Sequence, residues 1–146
     1  MSNHPFSMLE RAAQDTQGWL HEISREMNHP SLKVAYHALR GVLGALRDRL
    51  PIEEVHHLAA QLPVLVRGLY FEGYDPTGKP EKLDREAFLA RVAAALSDVG
   101  GTNPETAARA VLRVLDTHLG DGMLAHVMSV LPEELRDLSP LPKFAL

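Results

Sequence analysis

The chain has 146 residues, of which 45% are hydrophobic and 23% charged, and this suits one soluble globular domain with a core of its own. A formal charge of −4 argues against nucleic acid as a partner, since that needs a Lys/Arg surplus on one face. Cysteine is absent, which excludes disulfides, thiolate catalysis and cysteine-based zinc sites.

Taken in chain order, Ser7 is placed to cap a first helix reaching about Met27, with Met8, Ala12, Trp19, Leu20, Ile23 and Met27 near one side. Asn28-His29-Pro30-Ser31 reads as a stop followed by a new cap. The second helix, about 32–50, carries Ala35, Leu39, Val42, Leu43, Leu46 and Leu50 on a stripe of helical period. Gly41 and Gly44 each cost that helix about 1 kcal/mol relative to Ala, a cost that close approach of another helix can offset. Pro51 and Pro63 suit the first turns of two shorter helices. Residues 72–83 form a linker rich in Gly and Pro.

The cycle then restarts. A helix of about 84–98 carries Phe88, Leu89, Val92 and Leu96 and is stopped by Gly100-Gly101. Thr102-Asn103-Pro104-Glu105 combines a cap, a proline near the helix start and an acidic first turn. A helix to Leu119, another of about 122–130 and a last one from Pro132 complete the chain, with no period-two alternation to suggest strands.

Laid over one another without a gap, residues 19–69 and 88–138 show why the order repeats. Identical pairs are Ala38/Ala107, Arg40/Arg109, Val42/Val111, Leu43/Leu112, Leu46/Leu115 and Leu50/Leu119. The match continues through His57/His126, Leu62/Leu131, Pro63/Pro132, Arg67/Arg136 and Leu69/Leu138, holding register across a proline. The fold class predicted is all-α: a tandem pseudo-twofold repeat of two four-helix units packed into one compact helical bundle. The whole chain forms a single domain, with unit one at about 8–71, unit two at about 84–138 and a C-terminal tail at 139–146.

A family resemblance rests on these residues. The pattern Ala-x-Arg-x-Val-Leu-x-x-Leu followed by a short helix ending in Leu-Pro is carried by Ala38 to Leu46 with Gln61-Leu62-Pro63. It recurs in Ala107 to Leu115 with Val130-Leu131-Pro132. It resembles a bacterial family catalogued as domain of unknown function 2267, over roughly residues 15–138, and the segment Leu65 to Pro80 is similar to one subgroup. The resemblance implies an all-helical, cytoplasmic bacterial protein and lends no catalytic residues or cofactor.

The longest apolar stretch, Leu62 to Phe71, is broken by Arg67 and too short to span a bilayer. The N-terminus has neither the basic nor the apolar region of a secretion signal. The reading is therefore a soluble, cytoplasmic chain with no membrane partner.

Candidate chemistry is sparse. Gly73 to Lys79 fits the spacing of a phosphate-binding loop, but Pro80 stands where the magnesium-binding hydroxyl belongs and the preceding segment reads as helix. The eight histidines contain no His-x-x-His or His-x-x-x-His, and adjacent His56 and His57 diverge by about 100° on a helix. A ligand or metal set of His57, Glu72 and His126 stays open beside the simpler reading of His57 and His126 as packing or capping residues. Glu53-Glu54 and Glu133-Glu134 sit where a helix dipole favours acids and read as caps. No serine has the surroundings of a nucleophile elbow, so no catalytic residue and no cofactor are assigned.

The halves disagree most at the fourth helix, where Pro63-Val64-Leu65-Val66-Arg67 stands against Pro132-Glu133-Glu134-Leu135-Arg136. Val64 and Leu65 are either buried, under the first helix or the tail residues Leu141, Phe144 and Leu146, or they form an exposed apolar ridge. On the second reading Val64, Leu65, Tyr70, Phe71 and Tyr74 mark an interaction surface for another protein or a second copy. A non-enzymatic interaction or self-association module is the first expectation. A small-ligand or metal-binding protein, with a pocket between the units lined by His57, Tyr70, Glu72 and His126, is the second.

Overall fold

The computed structural model describes residues 5–142, which form eight α-helices and a short 3-10 turn with no strand. In order these are α1 (Pro5–Met27), α2 (Leu32–Arg49), α3 (Ile52–Ala59), α4 (Val64–Phe71), α5 (Arg85–Leu96), α6 (Pro104–His118), α7 (Met123–Ser129) and α8 (Glu133–Arg136), with the 3-10 turn Ser97–Val99 after α5. Phe144 and Leu146 lie outside the described residues. No helix is long and apolar enough to cross a membrane among the described residues.

Local chemistry accounts for several helix ends. Ser31 Oγ accepts from Val34 N at the start of α2, and Asp84 Oδ1 from Ala87 N at the start of α5. Asn103 Oδ1 accepts from Glu105 N and Thr106 N, with Pro104 occupying the first turn of α6 where no amide is needed. Gly100 and Gly101, both at positive φ, turn the chain out of α5. One start differs from the sequence reading: α1 begins at Pro5, so Ser7 lies inside its first turn and is not the cap.

α2 is the hub, in contact with α1, α4, α5 and α6. Val34, Ala35, Ala38, Leu39, Val42, Leu43, Ala45 and Leu46 are all buried, so the helix is enclosed on most of its circumference. α6 is the second core helix, packed on α1, α2 and α5 through Ala107, Ala108, Val111, Leu112 and Leu115. α1 joins this core only at its C-terminal half, through Trp19, Ile23 and Met27. Met8, expected on the same stripe, is 69% exposed, in a part of α1 where no residue from Phe6 to Gly18 is buried.

Gly41 is where α2 and α5 meet. A Cβ there would lie 2.6 Å from Ala95 Cβ and 3.6 Å from the Val92 carbonyl oxygen, so only glycine permits this approach. At Gly44 the nearest atom would be Arg47 Nη2 at 3.8 Å, an ordinary contact. The two glycines therefore separate. Gly41→Ala should destabilise the fold by about 1–3 kcal/mol through overpacking, despite its better helix propensity. Gly44→Ala should stabilise it by about 0.5–1 kcal/mol. Urea unfolding followed through Trp19 would check both, and equal effects would remove the argument for close approach.

The segment after α4 is free of helix but tied down. Glu81 N donates to Asp48 O at 2.8 Å, Glu81 pairs with Arg91 at 2.7 Å, and Leu83 is buried. The Arg91 hydrogen bond holds the Glu81 carboxyl below the usual carboxylate range. Lys79, the would-be phosphate ligand, pairs with Glu81, and the next helix starts only at Arg85.

Candidate functional site

The residues that carry the most chemistry meet where α3 contacts α7. Pro51 precedes α3 and leaves Glu53 and Glu54 in its first turn. Glu54 and His57 are one turn apart and share a helix face. Gly122, at φ 78°, turns the chain into α7, which carries His126. Glu54 thereby bridges two imidazoles: Oε2 lies 2.7 Å from His126 Nε2, and Oε1 lies 3.6 Å from His57 Nδ1. One donor atom from each of the three residues lies within 4.8 Å of the others. The Glu54 side chain is mostly covered, whereas those of His57 and His126 are at least half exposed.

The sequence reading named two of these three residues. Glu72, the third one named, lies elsewhere, pairing with Arg40 at 2.5 Å. Its backbone carbonyl accepts from Arg47 Nη1 at 2.8 Å. Glu54 takes the acidic place, and the signal for it was the spacing Glu-x-x-His, obscured by a capping role that is itself chemically sound. His56 does diverge from His57: its Nδ1 lies 2.9 Å from Ile52 O and its ring packs on Phe71. Of the four residues expected to line a pocket between the units, His57 and His126 meet at Glu54, Glu72 borders a cleft beside α2 and Tyr70 is buried.

The expected interaction residues divide by helical phase. Val64 and Leu65 are 63% and 46% exposed, and Val64 borders a groove with Met8, Arg11, Ala12, Asp15 and Pro63. Tyr70 is the correction: it has no exposed surface, because four residues after buried Val66 it points to the core. Its hydroxyl donates to Val55 O at 3.0 Å, and burial pushes its phenol pKa upward. Phe71 and Tyr74 are half-buried and meet in a tilted arrangement, with ring centroids 6.1 Å apart and the Arg47 guanidinium 5.2 Å from the Tyr74 ring centroid. They belong to the packing of the α4 end.

A separate cleft of about 290 Å³ lies between α2 and α5, lined by Arg40, Arg47, Asp48, Glu72 and Arg91 among others. These five charged residues already pair with one another. Asp48 accepts from Arg47 Nε at 2.8 Å and Arg91 Nη1 at 3.0 Å, so the cleft reads as a bracing network.

Residues 16–138 match the profile of a family described as uncharacterized conserved protein, DUF2267. The chain belongs to the DUF2267 family. No curated protein matches it. The DUF2267 span includes Glu54, His57 and His126, as well as Val64 and Leu65. It leaves out the first turns of α1, so Met8 lies outside the DUF2267 residues although it borders the same groove as Val64.

Proposed function

We propose that this protein is a non-enzymatic helical module that self-associates through the apolar surface formed by α1 and the start of α4. The observation that carries this reading is the placement of its exposed hydrophobic side chains. Met8, Val64 and Leu65 are exposed, as are Leu9 and Ile52, while Leu and Val on α2, α5 and α6 are largely covered. Met8 and Val64 border one groove, whose polar walls are Arg11 and Asp15. An apolar centre with a charged rim is the usual anatomy of a protein contact, and Arg11 and Asp15 would let a second copy meet it with opposite charges.

The reading includes a bacterial, cytoplasmic setting and a tandem architecture in which two related units share the core. Reciprocal packing supports that architecture: α1 lies against α6 and α5 against α2, while α2 meets α6 and α3 meets α7. The shared arginines support it too. Arg67 Nε and Nη2 donate to Ala59 O and Leu62 O, and Arg136 donates to Ser129 O and Leu131 O, each closing the corner before a Leu-Pro helix start.

Val64→Glu and Leu65→Glu should leave helicity and Tm nearly unchanged and weaken association at least tenfold in sedimentation at graded concentrations. A wild-type protein that stays monomeric at high concentration, or variants that unfold, would count against the proposal.

A further inference from the structure

We propose that Glu54, His57 and His126 form a site for one divalent transition-metal ion, with zinc as its natural occupant. Two imidazole nitrogens and one carboxylate oxygen are a donor set suited to zinc, and a site with three protein ligands is completed by water. Two of the donors sit one turn apart on α3, and the third comes from α7, 72 residues away from Glu54 in the chain. Tetrahedral zinc with ligand bonds of about 2.0–2.1 Å needs donor atoms about 3.4 Å apart. The three donors, all within 4.8 Å of each other, reach that spacing through small rotations of the two exposed imidazoles.

The contact between Glu54 and His126 defines the position of the ion. Hydrogen-bonded to Glu54 Oε2 at 2.7 Å, His126 Nε2 holds a proton where a cation would sit. On binding, the ion takes the Nε2 position and the one hydrogen of the neutral His126 ring moves to Nδ1, a change of tautomer with no net proton lost from the ring. His57 swings in through Nδ1, the atom already nearest to Glu54 Oε1. The ion would join α3 to α7 directly.

A simpler role for these residues is a carboxylate–histidine pin between two short helices, and the molecule contains a pair for comparison. His118 Nε2 lies 2.9 Å from Glu22 Oε2, stacked on Trp19. Glutamine at position 126 or 57 can keep a hydrogen bond to Glu54 but cannot replace imidazole as a zinc ligand, so it separates the two roles.

The test uses the full chain without an affinity tag, titrated with Zn²⁺ by calorimetry and with Co²⁺ by visible absorption. One equivalent should bind, with intense four-coordinate cobalt bands, and Zn²⁺ should raise Tm because it binds the folded form. His57→Gln, His126→Gln and Glu54→Gln should each weaken binding at least tenfold, while His118→Gln leaves it unchanged. If Glu54→Gln disturbs folding, the exposed His57→Gln still decides the outcome. No stoichiometric binding, binding that survives His57→Gln or His126→Gln, or binding lost in His118→Gln would each overturn the assignment.

Discussion

Asp48→Ala is expected to lower the unfolding free energy by about 3 kcal/mol, because it leaves a buried guanidinium without its counter-charge. Arg47 and Asp48 are each less than a tenth exposed. Asp48 accepts from Arg47 on one oxygen and from Arg91 on the other. Arg47 also donates to Tyr70 O and Glu72 O, satisfying carbonyls that α4 leaves open at its C-terminus. The pair therefore holds α2, α4, α5 and the segment after α4 together. Asp48→Asn, which keeps an acceptor and loses the charge, should fall between wild type and Asp48→Ala. In an Arg47→Met background, Asp48→Ala should cost clearly less, since the stranded charge is gone. Urea denaturation monitored by circular dichroism and by Trp19 fluorescence would measure all of these. A loss under about 1 kcal/mol would mean that water replaces the carboxylate, and that the network is a surface feature.

Tyr70→Ala should be about as damaging, at about 3–5 kcal/mol, because truncating a fully buried aromatic leaves a cavity that short helices cannot close. Tyr70 packs edge-on against Phe71 and donates to Val55 O, thereby linking α4 to α3. Tyr70→Phe removes only that hydrogen bond and should cost about 1 kcal/mol. Helicity and thermal melts would separate this pattern from that of a surface residue, for which both substitutions would be near neutral. A Tyr70→Ala protein of unchanged Tm and weakened association would restore Tyr70 to the contact surface.

The contrast between Tyr70 and Val64 shows how far sequence reading reaches. Both lie on one apolar helix, and the exchange of Val64 and Leu65 for Glu133 and Glu134 marked the region as unusual. Which side faced inward was not legible, because α4 carries large apolar side chains at every position except Arg67 and Gly68. The buried pair Val66 and Tyr70 decides it, at a spacing that fits one face. Met8 fails in the opposite way: its periodicity is sound, but it lies in the N-terminal half of α1, where no residue from Phe6 to Gly18 is buried.

The Glu54 cluster follows the same logic at longer range. Matching His57 with His126 drew attention to both residues, and they do converge. The acid between them is Glu54 and not Glu72, because α3 itself presents its carboxylate towards α7, while Glu72 is drawn to Arg40 at the far end of α4.

The all-helical class, the linker and most helix limits follow from the sequence alone, because caps, prolines, glycines and apolar period act within a turn or two. Only the tertiary structure decided the exposure of Val64, the burial of Tyr70 and Arg47, the glycine requirement at position 41 and the meeting of Glu54 with His126. Each of these depends on which helix lies opposite, and that is set by the packing of the whole chain.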